Sequence, residues 1–160
     1  MVTPPDTDRQ PPISIHVSVA DQRLDLLEAG RVVASWPIST SRFGLGAEPG
    51  SYRTPTGRFE VCEMIGDGAT EWTDFKGRKP TGTIATPGGE EDGILTRILW
   101  LHGLEPHNAN TRDRYIYIHG TNQETLIGTP ASHGCVRMRN ADIVDLFARV
   151  QPGTPVHILA

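Results

Sequence analysis

Cysteine is scarce in this chain of 160 residues: Cys62 and Cys135 are the only two. Two thiols cannot build the disulfide framework of a small secreted scaffold, and a domain of this length does not need one. Long apolar runs are missing as well. No stretch approaches the roughly 18 residues of a membrane-crossing helix. The opening segment MVTPPDTDRQPP has neither the basic nor the apolar region of a secretory signal. Membrane insertion is therefore not expected. A cytoplasmic location is expected, with a periplasmic one as the alternative if a leader was removed. Positive charge is also short, with 15 Lys and Arg against 19 Asp and Glu and a net charge of −4. Nucleic acid and anionic membranes are thus not expected partners.

Glycine and proline are plentiful, 17 and 13. Glycine supplies positive φ and proline presets bends, so the composition points to a β-rich fold with many turns. The length suits one domain. Residues 1–12 form a proline-rich polar lead expected to be disordered, and 13–160 form the single domain. Alternation marks strands at ISIHVSV (13–19), RLDLLEAGRVVASWPIST with a hairpin turn at Glu28-Ala29-Gly30, and RFEVCEMIG. The stretches 39–57 and 66–93 read as loops. ILTRILWLHGL, YIYIHG and PVHIL read as further strands. One helix is clear at NADIVDLFARV, with Asn140 at the cap position and Ile143, Leu146, Phe147 and Val150 on one face. Without βαβ alternation the sheet should be antiparallel or mixed.

Residues 115–138 read YIYIHGTNQETLIGTPASHGCVRM. His119 closes a strand-like run, and Cys135 follows sixteen positions later in a polar, turn-like setting. A thiol near its ordinary pKa is mostly protonated at neutral pH, so catalysis needs a base and donors for the oxyanion that follows attack. His119 offers the base, the Gly134-Cys135 step offers unobstructed amides, and Arg137 offers a guanidinium for a carboxylate. Cys62, inside an alternating strand, reads as a small core hydrophobe. His102 and His107 lack a third convergent ligand, so no metal or other cofactor is expected. His16 and His157 read as strand spectators. Trp100, Tyr115 and Tyr117 read first as core aromatics, with a cleft wall as the alternative. Arg97 is assigned neither to surface nor to site.

His119 followed by Ser132-His133-Gly134-Cys135-Val136-Arg137 resembles the signature of the L,D-transpeptidases with a YkuD-type catalytic domain. The resemblance extends to Gly50 with Thr54-Pro55-Thr56-Gly57-Arg58-Phe59, to Ile118-His119-Gly120, and to Asn140 with Asp142. It covers about residues 13–159. It implies a mainly β fold, a β-sandwich of mixed sheets with one main helix. It also implies an enzyme whose Cys135 attacks the carbonyl before the terminal D-alanine of a peptidoglycan stem tetrapeptide and retains the acyl group as a thioester. His119 is then the base, the Gly120 carbonyl orients its ring, and amides of Gly134 and Cys135 hold the oxyanion. His133 and Ser132 shape the substrate site, Arg137 holds a substrate carboxylate, and carbapenems inhibit.

The thioester can pass to water or to an amine. From the expected location, hydrolysis of recycled muropeptides, an L,D-carboxypeptidase activity, is favoured. The alternatives are a transpeptidase that forms crosslinks or attaches proteins to the wall, and a non-catalytic module that binds wall peptides. A papain-like protease fits poorly, because there the cysteine precedes the histidine.

Overall fold

The computed structural model describes residues 12–160; the rest of the N-terminal lead, and with it the expectation of disorder, lies outside the described residues. The first strands follow the alternation. β1 (Ile13–Ser18) buries Ile15 and Val17 completely and leaves His16 on the other face. β2 (Arg23–Glu28) and β3 (Arg31–Ser39) are joined through Ala29 and Gly30. Both turn residues have positive φ, +51° and +79°, as the tight primed hairpin turn requires.

The remaining strands are β4 (Gly57–Ile65), β5 (Thr73–Lys76), β6 (Lys79–Ile84), β7 (Ile94–Gly103), β8 (Tyr117–Gly120), β9 (Val136–Met138) and β10 (Pro155–Leu159). They form one ten-stranded sheet in the order β4-β10-β1-β2-β3-β9-β8-β7-β5-β6, and β4 also pairs with β7. The expected mixed sheet is present, with β1–β10 and β8–β9 parallel. Its closure departs from the expected sandwich: eight strands from β4 round to β7 close into a ring, while the β5–β6 hairpin extends from β7. Pairing β4 with β7 leaves neither strand as an open edge.

The stretch 66–93, read as loop, contains that β5–β6 hairpin. Its turn is Gly77-Arg78, again with positive φ at both residues. All six residues of β6 are exposed, so no alternating pattern marks it.

The helix α1 (Asn140–Arg149) packs on β7 and β8 and buries Ile143, Leu146 and Phe147. Its cap differs from expectation. Arg139 is the cap residue and gives no side-chain bond, while Asn140 is the first helical residue and is fully buried. Glu124 performs the capping from outside, its Oε2 accepting the Asn140 N–H at 2.8 Å. Among the described residues no helix is long and apolar enough to cross a membrane.

The main core contains Ile118 of β8 and Val136 and Met138 of β9. Successive strand residues point to opposite faces. Tyr117, His119, Cys135 and Arg137 therefore project together from the other face. A smaller apolar cluster of Phe75, Ile98, Trp100 and Tyr117 lies there, with Cys62 and Cys135 packed against it.

Candidate active site

Strand pairing brings the histidine and the cysteine together. In the parallel β8–β9 pair His119 stands opposite Arg137. One step back along the strands, the Tyr117 N–H donates to Cys135 Sγ at 3.3 Å. His119 and Cys135 are thus diagonal neighbours on one face. With strands about 4.8 Å apart and about 3.3 Å per residue, their Cα atoms lie about 8 Å apart, a gap that two facing side chains can span.

The imidazole is held in one tautomer. His119 Nδ1 is bonded to the Gly120 carbonyl. A carbonyl only accepts, so Nδ1 carries the proton and Nε2 keeps its lone pair. His119 is 1% exposed. Burial pushes its pKa below the usual histidine value, outweighing the opposite pull of the Asp92 charge and the Gly120 bond. Burial also pushes the Cys135 thiol up to about 12, against the smaller downward pull of the Tyr117 N–H and of Arg114 and Arg137. Both shifts disfavour charge, so the resting pair is a neutral thiol beside a neutral imidazole. The thiol in turn donates to the Tyr115 carbonyl at 3.4 Å.

The turn before Cys135 is built from the inside. Gly134 has φ +125°, and a Cβ there would lie 3.3 Å from the Arg53 carbonyl oxygen. Ser132 is fully buried. Its Oγ accepts the Gly134 N–H at 3.2 Å and donates to the Cys135 carbonyl at 2.7 Å. Ser132, expected at the substrate, therefore shapes the turn without facing a ligand, because both functions of its hydroxyl are used internally. The Gly134 amide, expected to hold an oxyanion, is engaged with that hydroxyl. Thr54 completes the turn: its Oγ1 donates to the Gly134 carbonyl at 2.9 Å and accepts the Ser41 N–H at 3.0 Å. The sequence marked Thr54 as part of a motif but gave it no role.

His133 is exposed, with Nε2 accepting from Arg42 Nη2 at 3.3 Å. Arg137 is fully buried. Its Nη1 reaches Asp92 Oδ1 at 2.9 Å and Gln123 Oε1 at 2.6 Å, and its Nη2 reaches Ser39 Oγ at 3.2 Å. A carboxylate of the protein's own thus lies where one from a substrate was expected. Asp92 was missed because its setting, Gly-Gly-Glu-Glu-Asp-Gly, reads as an ordinary polar loop; only its partner 45 residues away marks it.

A cavity of about 470 Å³ has Tyr115 and Tyr117 among its walls, the two residues whose carbonyl and amide contact the thiol. The hairpin and the 85–93 loop supply Asp74, Lys76, Arg78, Glu91 and Asp92. Arg78 is stacked 4.7 Å over the Trp100 ring and 5.3 Å over Tyr115, and its Nη1 reaches the Tyr117 hydroxyl at 3.3 Å. Tyr115 and Tyr117 are therefore cleft wall as well as packing. Tyr115 itself sits at φ +55°, a strained conformation for an aromatic residue that aims its carbonyl at the thiol.

The other candidates stand apart. Cys62 is half-buried and its Sγ donates to the Trp100 carbonyl at 3.2 Å. His107 Nε2 is 2.8 Å from the Thr56 carbonyl, and His16 and His157 are edge-to-face neighbours across β1 and β10. Arg97 is buried against Phe147 and bonds the Ala69 carbonyl. Among the described residues no three His, Cys, Asp or Glu side chains converge as a metal site.

The sequence matches the family of L,D-transpeptidase catalytic domains, YkuD, over residues 12–158. The chain belongs to that family. It is 32% identical over 97% of its length to the probable L,D-transpeptidase YcfS of Escherichia coli K12, covering 45% of that relative. To the putative L,D-transpeptidase YkuD of Bacillus licheniformis it is 30% identical over 92% of its length, covering 66% of that relative. The chain thus spans less than two thirds of either protein. Its fold is also that of L,D-transpeptidase 3 from Mycobacterium tuberculosis, solved in complex with a faropenem-derived adduct. That match has a TM-score of 0.61 at 16% identity and covers 94% of this chain and 61% of the other. The closed, mainly β architecture with one helix is accordingly the YkuD-type fold.

Proposed function

We propose that this YkuD-type domain is a cysteine acyltransferase acting on peptidoglycan stem tetrapeptides. The observation that carries the reading is the His119–Cys135 diagonal, with Nδ1 fixed by Gly120 and the Nε2 lone pair free. As Sγ attacks the carbonyl before D-alanine, Nε2 takes the thiol proton and the carbonyl electron pair moves onto oxygen. The Cys135 N–H meets that oxyanion, joined by the Gly134 N–H once it leaves Ser132 Oγ. Collapse breaks the C–N bond, His119 returns the proton to the leaving amine, and the thioester remains. Concerted proton transfer suits a site in which neither a thiolate nor an imidazolium is stable at rest.

For the second half-reaction we infer transfer to an amine. The cavity walled by Tyr115 and Tyr117 has room for a side chain of a second stem, and Asp74 and Glu91, set there beside Lys76 and Arg78, offer carboxylates to an ammonium group. Hydrolysis, the sequence-based expectation, is the competing fate. Mass spectrometry of a disaccharide-tetrapeptide incubated with the protein, with and without a second stem, separates the two. A crosslinked dimer supports transfer, and a tripeptide with free D-alanine alone supports hydrolysis. No turnover of either kind would overturn the proposal.

A further inference from the structure

Asp92 is unusual in its surroundings. Its Oδ1 lies 2.9 Å from Arg137 Nη1 and its Oδ2 lies 3.8 Å from His133 Nδ1. A buried guanidinium and an imidazole thus meet at one carboxylate, with Arg42 on the far side of the imidazole. The Arg137 Nε–H is buried and has no acceptor among the described residues, so the guanidinium still has a hydrogen bond to give. His133 and Arg137 flank Cys135 in sequence, two residues to either side.

The loop that brings Asp92 is tied down by side chains rather than by a strand ladder. Asn122 Nδ2 bonds the carbonyls of Gly88 and Glu91 at 2.7 and 2.9 Å, and Asn122 Oδ1 accepts the Gly93 N–H at 2.8 Å. Gln123 Nε2 holds the Gly89 carbonyl at 3.0 Å. Gly88 and Gly89 have φ +86° and +96°, giving the loop two hinges of low steric cost.

Given the reading of Cys135 as the acylated nucleophile, the donor's geometry is fixed. Its terminal carboxylate is three bonds from the attacked carbon, roughly one residue length away. Arg137 stands two residues beyond Cys135 on the same face, about 6.6 Å along the strand, within reach of that carboxylate. A buried guanidinium needs a counter-ion in the free protein as well as in the complex, since an unpaired buried charge is strongly destabilising.

We propose that Asp92 is a resident carboxylate that holds the Arg137–His133 site in the free protein and is exchanged for the free terminal carboxylate of the acyl donor. The exchange keeps Arg137 paired throughout and moves the 85–93 loop away from the thiol. Specificity for donors with a free carboxylate end follows, because an amide cannot replace a carboxylate on a buried guanidinium.

Hydrogen exchange of the unmodified protein tests this with N-acetyl-D-alanine and N-acetyl-D-alaninamide as probes. The Gly88 and Gly93 N–H groups, both bonded to Asn122, should exchange about fivefold faster with saturating acid and unchanged with the amide. No acceleration, or equal acceleration by both, overturns the proposal. Asp92→Asn gives a second readout. The KM for a carboxylate-terminated tetrapeptide should fall by about tenfold. A raised or unchanged KM would make Asp92 a fixed part of the machinery and overturn the exchange. The exchange measurement needs no turnover, so failure of Cys135 to become acylated counts against the acyltransferase reading alone.

Discussion

The Tyr117 amide donates to Cys135 Sγ at 3.3 Å, and through that bond the strand that carries His119 also grips the thiol. Burial of the thiol outweighs the downward pull of that bond and pushes its pKa up to about 12. A thiol of this kind should alkylate slowly at neutral pH. Iodoacetamide labelling of Cys135, followed by peptide mass mapping, should accelerate steadily as pH rises from 8 towards 12. A plateau below pH 8 would mean a thiolate preformed with imidazolium, contrary to the neutral resting pair.

His119 makes an opposite contribution to stability. Its folded pKa is lowered, so below the unfolded value of about 6.5 the unfolded chain takes up a proton that the folded protein resists. Stability contributed by the neutral buried ring is present above that pH and is lost as pH falls through it. His119→Gln removes this proton uptake. The wild type should therefore lose more stability than the variant between pH 7 and pH 5, measured by urea denaturation at each pH.

Thr54 and Gly134 can be tested together. Thr54→Val deletes the buried hydroxyl that holds the Gly134 carbonyl and leaves the Ser41 N–H unpaired. It should cost about 1–3 kcal/mol and lower kcat, whereas Thr54→Ser should restore most of both. Gly134→Ala forces a side chain into φ +125° against the Arg53 carbonyl. It should cost on the order of 1–3 kcal/mol. Chemical denaturation and turnover are the readouts.

Arg137, fully buried, and Asp92, about 20% exposed, form an ion pair whose loss is not additive. Arg137→Ala should destabilise the fold, because it empties a buried site and leaves Asp92 without its partner. The double variant with Asp92→Asn should recover part of the lost stability. A coupling of about 0.5–3 kcal/mol in the double-mutant cycle is expected, and additive effects would show that the two side chains act separately.

The features legible in the sequence are those carried by local pattern. Ile15 and Val17 alternate with His16, Ala29-Gly30 can supply two positive φ values in succession, and Ile143, Leu146 and Phe147 recur at helical spacing. His119, Gly134 and Cys135 were marked because imidazole, bare amides and a thiol in polar surroundings suit one chemistry. What escaped depends on distant partners. β6 is exposed throughout and β9 has only three residues, so neither shows a periodicity. Ring closure requires β4 to meet β7, which adjacent residues do not encode. Glu124 caps a helix it does not belong to, and Asp92 acquires meaning only from Arg137. Ser132 and Thr54 were visible as motif letters, but their inward-turned hydroxyls emerge only once strands and loops are assembled.

The central claim is that Cys135 carries the acyl group. Intact-protein mass spectrometry after rapid acid quenching of a reaction with a stem tetrapeptide tests it directly, with Cys135→Ala alongside. The expected result is an adduct equal to the donor minus D-alanine, mapped to Cys135 and absent from the variant. Release of D-alanine without an adduct on Cys135, or an adduct that persists in the Cys135→Ala protein, would contradict it.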